Sequence, residues 1–303
     1  MVAGQAAPLA VRGLTADDMS ATRRRFLALG VLLPLLVATA AGYGLVAPDA
    51  YPGVTELQRQ TWRAQDAVNL VAAVILILSS RRSAAGSWRG HLVQLGMLGW
   101  LAYCALHLAI GAVFTPVFLV YLAVVGLAGF GLLDGLIRVE LTDESVLPRF
   151  PSRPTAVFLA VGGVGIAGLW LSEIVPGVLG LARPANLHLS GLPNPTWVLD
   201  LVWLIPWALA AAWQCWRGRS SAQLISVPLL VLLGMLSVAM LAVIPFALHA
   251  GLGADPVAGP QIGAFSIVFS VLGLAEATLI AGCLRGGAGR TVELRDSWWV
   301  SSR

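Results

Sequence analysis

"WRAQDAVNLVAAVILILSSRR", residues 62–82, decides how the chain is to be read. A polar opening with Gln65, Asp66 and Asn69 gives way to an unbroken apolar run that closes on two arginines. A hydrocarbon layer of roughly 30 Å is crossed by about 20 apolar residues of helix, so the stretch predicts a membrane span. Arginines at one end only predict which end stays at the cytoplasmic surface. The three polar side chains at the other end stand where lipid would favour leucine, and they need a reason.

The whole chain reads the same way. Of its 303 residues 58% are hydrophobic and 11% charged, whereas a soluble globule carries about 25% charged residues. Apolar runs long enough to span fall near 26–47, 63–80, 91–112, 116–137, 155–176, 196–216, 222–249 and 262–284. The expected fold class is therefore an all-α integral membrane protein of eight transmembrane helices. All nineteen basic residues are arginine, and the absence of lysine excludes a retinal-type Schiff base. The net charge of +4 does not point to nucleic acid, because the bilayer accounts for where the arginines lie. With the N-terminus cytoplasmic, only Arg59, Arg63 and Arg183 of the nineteen face outward. That asymmetry puts both termini in the cytoplasm and the protein in the bacterial inner membrane. Trp88, Trp213 and Trp216 at inner helix ends, and Tyr51, Trp62 and Trp197 at outer ones, read as interfacial anchors. A competing local reading is that "TRRRFL" (22–27) with "ATA" (38–40) resembles a twin-arginine export signal. The first helix is kept as a span because the repeat described next needs it.

The two halves run in parallel: helix, outer loop, helix with a polar start, arginine-rich inner turn, helix, outer turn, helix. "WRAQDAVNLV" (62–71) pairs with "NPTWVLDLVW" (194–203), placing Asp66 opposite Asp200, and "SSRRS" (79–83) pairs with "CWRGRSS" (215–221). Each half has an even number of spans, so the halves share orientation and form two parallel four-helix repeats. The expected organisation is a cytoplasmic tail at 1–25, a first repeat at 26–137, a linker at 138–154, a second repeat at 155–285 and a cytoplasmic tail at 286–303.

The polar starts have a simple explanation. Carboxylates in a first helical turn favour the positive end of the macrodipole, and Asn194 followed by Pro195 reads as a cap and first helical residue. Asp200, however, lies about six residues past that cap, roughly 9 Å along the axis, deeper than capping requires. Asp66 shares a face with Asn69, Tyr103 with His107, and Trp170 with Glu173. Asp200, Trp203 and Trp207 form one stripe, and Pro206 deprives the Val202 carbonyl of its helical donor. Ionisable groups and under-bonded backbone at membrane depth point to a cavity. The expectation is an outward-opening pocket between the halves, its ligand-binding residues Asp66, Asn69, His107, Glu173, Asp200 and Trp203, with His249 of the seventh helix as a further lining residue. Glu276, near the middle of the last span, should be protonated or matched to a partner, and is the candidate for ion coupling. Asp134 and Arg138 are four apart and read as an interfacial ion pair.

Absent motifs narrow the chemistry. There is no zinc-type His/Glu box, glycine-rich nucleotide loop or Ser-His-Asp signature, so no catalytic residue, metal or cofactor is expected. Cys104, Cys215 and Cys283 are too far apart for a clustered site and read as packing residues, as do Gly131 with Gly135 and Gly273 with Ala277. "AQDAVNL", "WLSEIVP" (170–176) and "GLPNPTWVLDL" (191–201) resemble a group of bacterial multi-pass membrane proteins to which no activity is attached. The resemblance implies that Asp66, Glu173 and Asp200 are the positions to watch. In that group a threonine precedes the Asn-Pro pair and a histidine stands where this chain has Trp197, and Pro193 and Trp197 depart from both.

The leading functional expectation is small-molecule or ion binding and transport through the outer pocket. The alternatives are a non-catalytic assembly, sensor or partner-binding subunit, and an intramembrane enzyme acting on a lipid-linked substrate. Expected partners are membrane lipid, a small-molecule or ion ligand and a protein docking on the C-terminal tail, without nucleic acid.

Overall fold

The computed structural model describes residues 24–112, 114–139, 150–184, 193–219 and 221–285. Residues 1–23 of the first tail, the whole of the last, most of the 138–154 linker and the first residues of the 191–201 motif lie outside them. Among the described residues, eight helices are long and apolar enough to cross a membrane: α1 Arg24–Val46, α2 Glu56–Ala84, α3 Trp88–Gly111, α4 Phe118–Ile137, α5 Ser152–Val178, α6 Pro195–Trp216, α7 Ala222–His249 and α8 Ala258–Arg285. The start of α1 and the end of α8 share one face, the terminus face, where Arg89 on α3 donates to the Arg285 carbonyl at 2.9 Å. The opposite end is the far face.

Local chemistry sets the boundaries. Thr55, Ser87 and Asn194 cap α2, α3 and α6, each side-chain oxygen accepting from an early backbone N–H. Asp255 does so for α8, accepting from Val257 and Ala258 N–H at 2.8 Å. Those two amides, Ala258 first, hold its carboxyl below the usual aspartate range. The tight turn between α2 and α3 needs Gly86, whose φ is +79°.

Two spans contain a π-helical turn, Ala28–Leu32 in α1 and Asp200–Leu204 in α6, and a proline follows each at the same offset, Pro34 and Pro206. Proline removes one N–H from the ladder. Widening to i→i+5 bonding, with Leu33 N–H reaching the Ala28 carbonyl and Ile205 N–H the Asp200 carbonyl, carries the helix through that gap without a sharp break.

Helices α3 and α7 are the most enclosed spans and α8 the least. α3 packs on α2, α4 and α7; α7 packs on α2, α3 and α8; α5 lies along α6. Glycine permits the central crossing. A Cβ on Gly96 of α3 would come 2.5 Å from the Val231 side chain and 2.9 Å from the Pro228 carbonyl of α7. Large apolar side chains such as Leu119, Phe130, Val161, Val271 and Leu274 are exposed on α4, α5 and α8, as on helices that face lipid.

Two expectations are corrected here. α2 begins at Glu56, not near 63, so Asp66 lies about eleven residues past the Thr55 cap, roughly 16 Å along the axis. The macrodipole falls off within a turn, and helix-start stabilisation therefore does not explain Asp66. The outer aromatic residues are not surface anchors: Tyr51, Trp62 and Trp197 are buried among the helices, as is Trp88 on the other face, while Trp213 and Trp216 are exposed.

Gly96→Ala should lower stability by about 1–3 kcal/mol, because the added methyl must push against α7 backbone as well as a side chain. Gly126→Ala, where a Cβ meets open space, is the matched control. Thermal unfolding of the two variants in detergent measures the difference.

Candidate functional site

The polar residues of the far half of the bundle fall into two clusters that meet α3 at neighbouring positions, Trp100 and Tyr103. The first is built around Asp66, 1% exposed. The 47–55 connection turns inward, burying Ala50, Tyr51 and Val54, and the Tyr51 hydroxyl donates to Asp66 Oδ2 at 2.5 Å. Gly44 on α1 makes room for this bond, since a Cβ there would overlap both Asp66 Oδ2 and the Tyr51 hydroxyl. Arg63 donates to the Ala47 carbonyl at 3.3 Å and Arg59 to the Tyr51 carbonyl at 3.5 Å, tying the connection to α2. One turn further along α2, Asn69 Oδ1 accepts from Trp100 Nε1 at 3.0 Å.

A cavity of about 20 Å³ adjoins Asp66 and Asn69, closed by Ala41, Leu101, Tyr121 and Val124. It is large enough for one water, which needs two to four polar partners. The Tyr121 hydroxyl, buried beside the Tyr51–Asp66 pair, would be one of them. Tyr51 stands outside the spans, and burial first, then the neighbouring Asp66 charge, pushes its phenol far above the usual range.

The second cluster centres on Asp200, 5% exposed, at the first residue of the π-turn in α6. Its two oxygens are held from different helices: Tyr103 of α3 donates to Oδ1 and Trp170 of α5 to Oδ2, both at 2.8 Å. Trp203 tilts against the Tyr103 ring at 6.3 Å and stacks on Trp207 at 6.4 Å. Trp207 in turn donates to the Ile225 carbonyl of α7 at 3.0 Å. The α6 start is docked by Pro195, which sits over Gly111 at the end of α3. Two neutral donors and no ion-pairing cation within 4 Å, among the described residues, surround this carboxylate.

The remaining candidates lie around these two. His107 is half-buried and meets the edge of the Trp62 ring, 6.1 Å between centroids, so it adjoins the Asp66 side. Glu173 is half-buried one turn past Trp170 on α5, on the Asp200 side. His249 is exposed at the far end of α7. Glu276 on α8 is 3% exposed, with the Ser237 hydroxyl of α7 within reach and Oε2 unpartnered; it belongs to neither cluster. Asp134 receives Arg138 at 2.5 Å and Arg25 at 3.8 Å. Asp66 and Asp200 are thus both tied to α3, and the cavity beside Asp66 and Asn69 is not lined by Asp200.

The sequence did not single out Tyr51, Trp100 or Tyr121 as partners of the polar positions. Their aromatic bodies read as anchors or core, and nothing in spacing tells which way a phenol or indole N–H is aimed. It also passed over His91, which lines the larger cavity near the terminus face. Among the described residues no group of three or more His, Cys, Asp or Glu could hold a metal ion. Comparison of the chain with family models, curated proteins and solved structures finds no match.

Raised above its unfolded value near 10, Tyr51 keeps its proton in the folded protein while the unfolded chain loses it. Its contribution to stability should therefore be level below about pH 10 and decline by about 1.4 kcal/mol per pH unit above it. Tyr51→Phe should lessen the slope of alkaline unfolding curves by about that amount. Asp200→Ala strands two buried donors and should cost about 1–3 kcal/mol for each; Asp200→Asn, which keeps an acceptor oxygen, should cost less in the same thermal assay.

Proposed function

We propose that this chain is a small-molecule or ion-binding membrane protein of the permease type, with Asp200 as the central residue of its site. The observation that carries the reading is the origin of the groups around that carboxylate. Tyr103 comes from the first four helices, and Trp170 and Asp200 itself from the last four. A carboxylate at membrane depth, held by neutral donors across that seam, is the arrangement in which parting the halves would free an anionic site for a cation or a ligand carrying a donor. The π-turn at Asp200 adds irregular backbone where such sites are commonly built. Trp203, Glu173 and, in the neighbouring cluster, Asp66, Asn69 and His107 would shape access, and Glu276 would couple an ion.

The arginine distribution supports a cytoplasmic terminus face and insertion in a bacterial inner membrane. Arg24, Arg25, Arg81, Arg82, Arg89, Arg138, Arg153, Arg217, Arg219 and Arg285 lie toward that face, against Arg59, Arg63 and Arg183 at the far one. On this reading the two sets of four helices are parallel repeats, and the likeness to a group of bacterial multi-pass proteins is one of common architecture.

A second reading, a non-catalytic assembly, sensor or partner-binding subunit, is favoured by a specific observation. Asp66, Asn69 and Asp200 each have a hydrogen-bond partner inside the bundle, as a purely structural network would. Aqueous accessibility separates the two. Single cysteines at Asn69, Asp200 and Trp203, in a background without Cys104, Cys215 and Cys283, are treated from the far side with a membrane-impermeant thiol reagent. The permease reading expects labelling at 200 and 203 but not at lipid-facing Val202. Silence at both positions in folded protein would pass the case to the second reading.

A further inference from the structure

Glu276 is the buried carboxyl whose surroundings differ most from those of Asp66 and Asp200. It is 3% exposed, its Oε2 has no hydrogen-bond partner, and the Ser237 hydroxyl of α7 is the side chain that meets it. Small residues bring the two helices together here. A Cβ on Gly273, one turn before Glu276, would stand 3.5 Å from the Ser237 Cβ, and one on Gly234 of α7 would stand 3.5 Å from Ile280.

No countercharge is level with this carboxyl. Among the described residues Glu276 forms no ion pair. α8 packs on α7 and on the Leu252–Ala254 turn, and at its terminus end it meets Arg89 of α3 and Thr155 of α5. The one ionisable group on α7 is His249, twelve residues or roughly 18 Å past Ser237. On α8 itself Cys283 and Arg285 follow Glu276 by seven and nine residues, roughly 10 and 13 Å along the axis. An isolated anion in such a place is far more costly than a neutral acid. A metal cation is poorly served too, since calcium takes about six to eight oxygen ligands. The carboxyl and Ser237 supply three, and the Leu241 carbonyl, freed by Pro245 one turn beyond Ser237, would add one.

We propose that Glu276 is a proton site: while α8 lies on α7 it holds a proton, not a metal ion, and the resulting neutral acid is open to a lipid-soluble carbodiimide. This rests on the ion-coupling role proposed above and names the ion. α8 is the least enclosed span, with Val271 and Leu274 exposed beside Glu276, so an apolar reagent approaches through lipid. The carboxyl O–H adds across one C=N bond, oxygen to the central carbon and proton to nitrogen. The acyl group then shifts from oxygen to the other nitrogen, leaving a stable N-acylurea with no leaving group and no oxidant.

The test treats the full chain in lipid vesicles with dicyclohexylcarbodiimide and reads the adduct by intact mass and peptide mapping. One adduct should form, on Glu276, and its rate should fall about tenfold per pH unit once the carboxyl ionises. Glu276→Gln should abolish it. Ser237→Ala, which removes the donor to the anion, should carry labelling to higher pH, a gain confined to this carboxyl that misfolding would not reproduce. Silence at Glu276 in folded protein and in Ser237→Ala, or equally fast labelling by a water-soluble carbodiimide, would overturn the proposal. Protection by sodium at constant pH would overturn the choice of proton over metal ion, yet leave the permease reading to its own test, cysteine labelling at 200 and 203.

Discussion

A polar group buried among eight apolar helices has no water to fall back on, and an unsatisfied one costs several kcal/mol in hydrocarbon. That constraint organises the bundle. Asp66 draws the 47–55 connection inward until Tyr51 meets it, Asn69 fixes the Trp100 indole, and Asp200 gathers α3 and α5 onto α6. Gln223 does the same near the terminus face, accepting from Trp88 and donating to the Cys283 carbonyl, so that α3, α7 and α8 are joined. Each bond is directional, whereas packing of leucine against lipid or leucine is nearly indifferent to register.

Glycine and proline set how closely these partners approach. Gly44 is the reason Tyr51 reaches Asp66, Gly96 the reason α3 and α7 touch, and Gly111 the reason the start of α6 rests on α3. The prolines at 34 and 206 act through the backbone, each following a π-turn that rotates the residues after it. In α6 that turn begins at Asp200 itself, which joins the backbone irregularity to the carboxylate. The two charged regions differ in kind: Asp200 has neutral donors in the far half, while Asp134 has two guanidinium partners near the terminus face.

The spans could be read directly because length and hydropathy are properties of single segments. All eight expected runs coincide with helices, and the largest shift is at α2, whose polar first turns Glu56–Thr61 carry no apolar signal yet are helical behind the Thr55 cap. The polar positions were legible as exceptions within apolar runs, so Asp66, Asn69, Asp200 and Glu276 stood out by composition alone. Their partners did not. Tyr51 is fifteen residues from Asp66, and Tyr103 is ninety-seven from Asp200, separations that no helical period spans. Spacing places Asp66 and Asp200 toward one end of the bundle, but it is silent on which side chains of α3 each one meets, Trp100 beside Asn69 and Tyr103 beside Asp200.

By itself, then, the sequence determined how many segments are long and apolar enough to cross a bilayer, which ends of the helices carry the arginines, and which side chains are too polar for lipid. These follow from local composition weighed against a slab of fixed thickness. Only the tertiary structure decided that Asp66 and Asp200 occupy separate hydrogen-bonded cages, that Tyr51 and Trp62 lie inside the protein, and that Arg25, Arg138 and Asp134 meet around a cavity. Those outcomes depend on the rotation of each helix about its own axis, which is set by close contacts between helices remote in the chain.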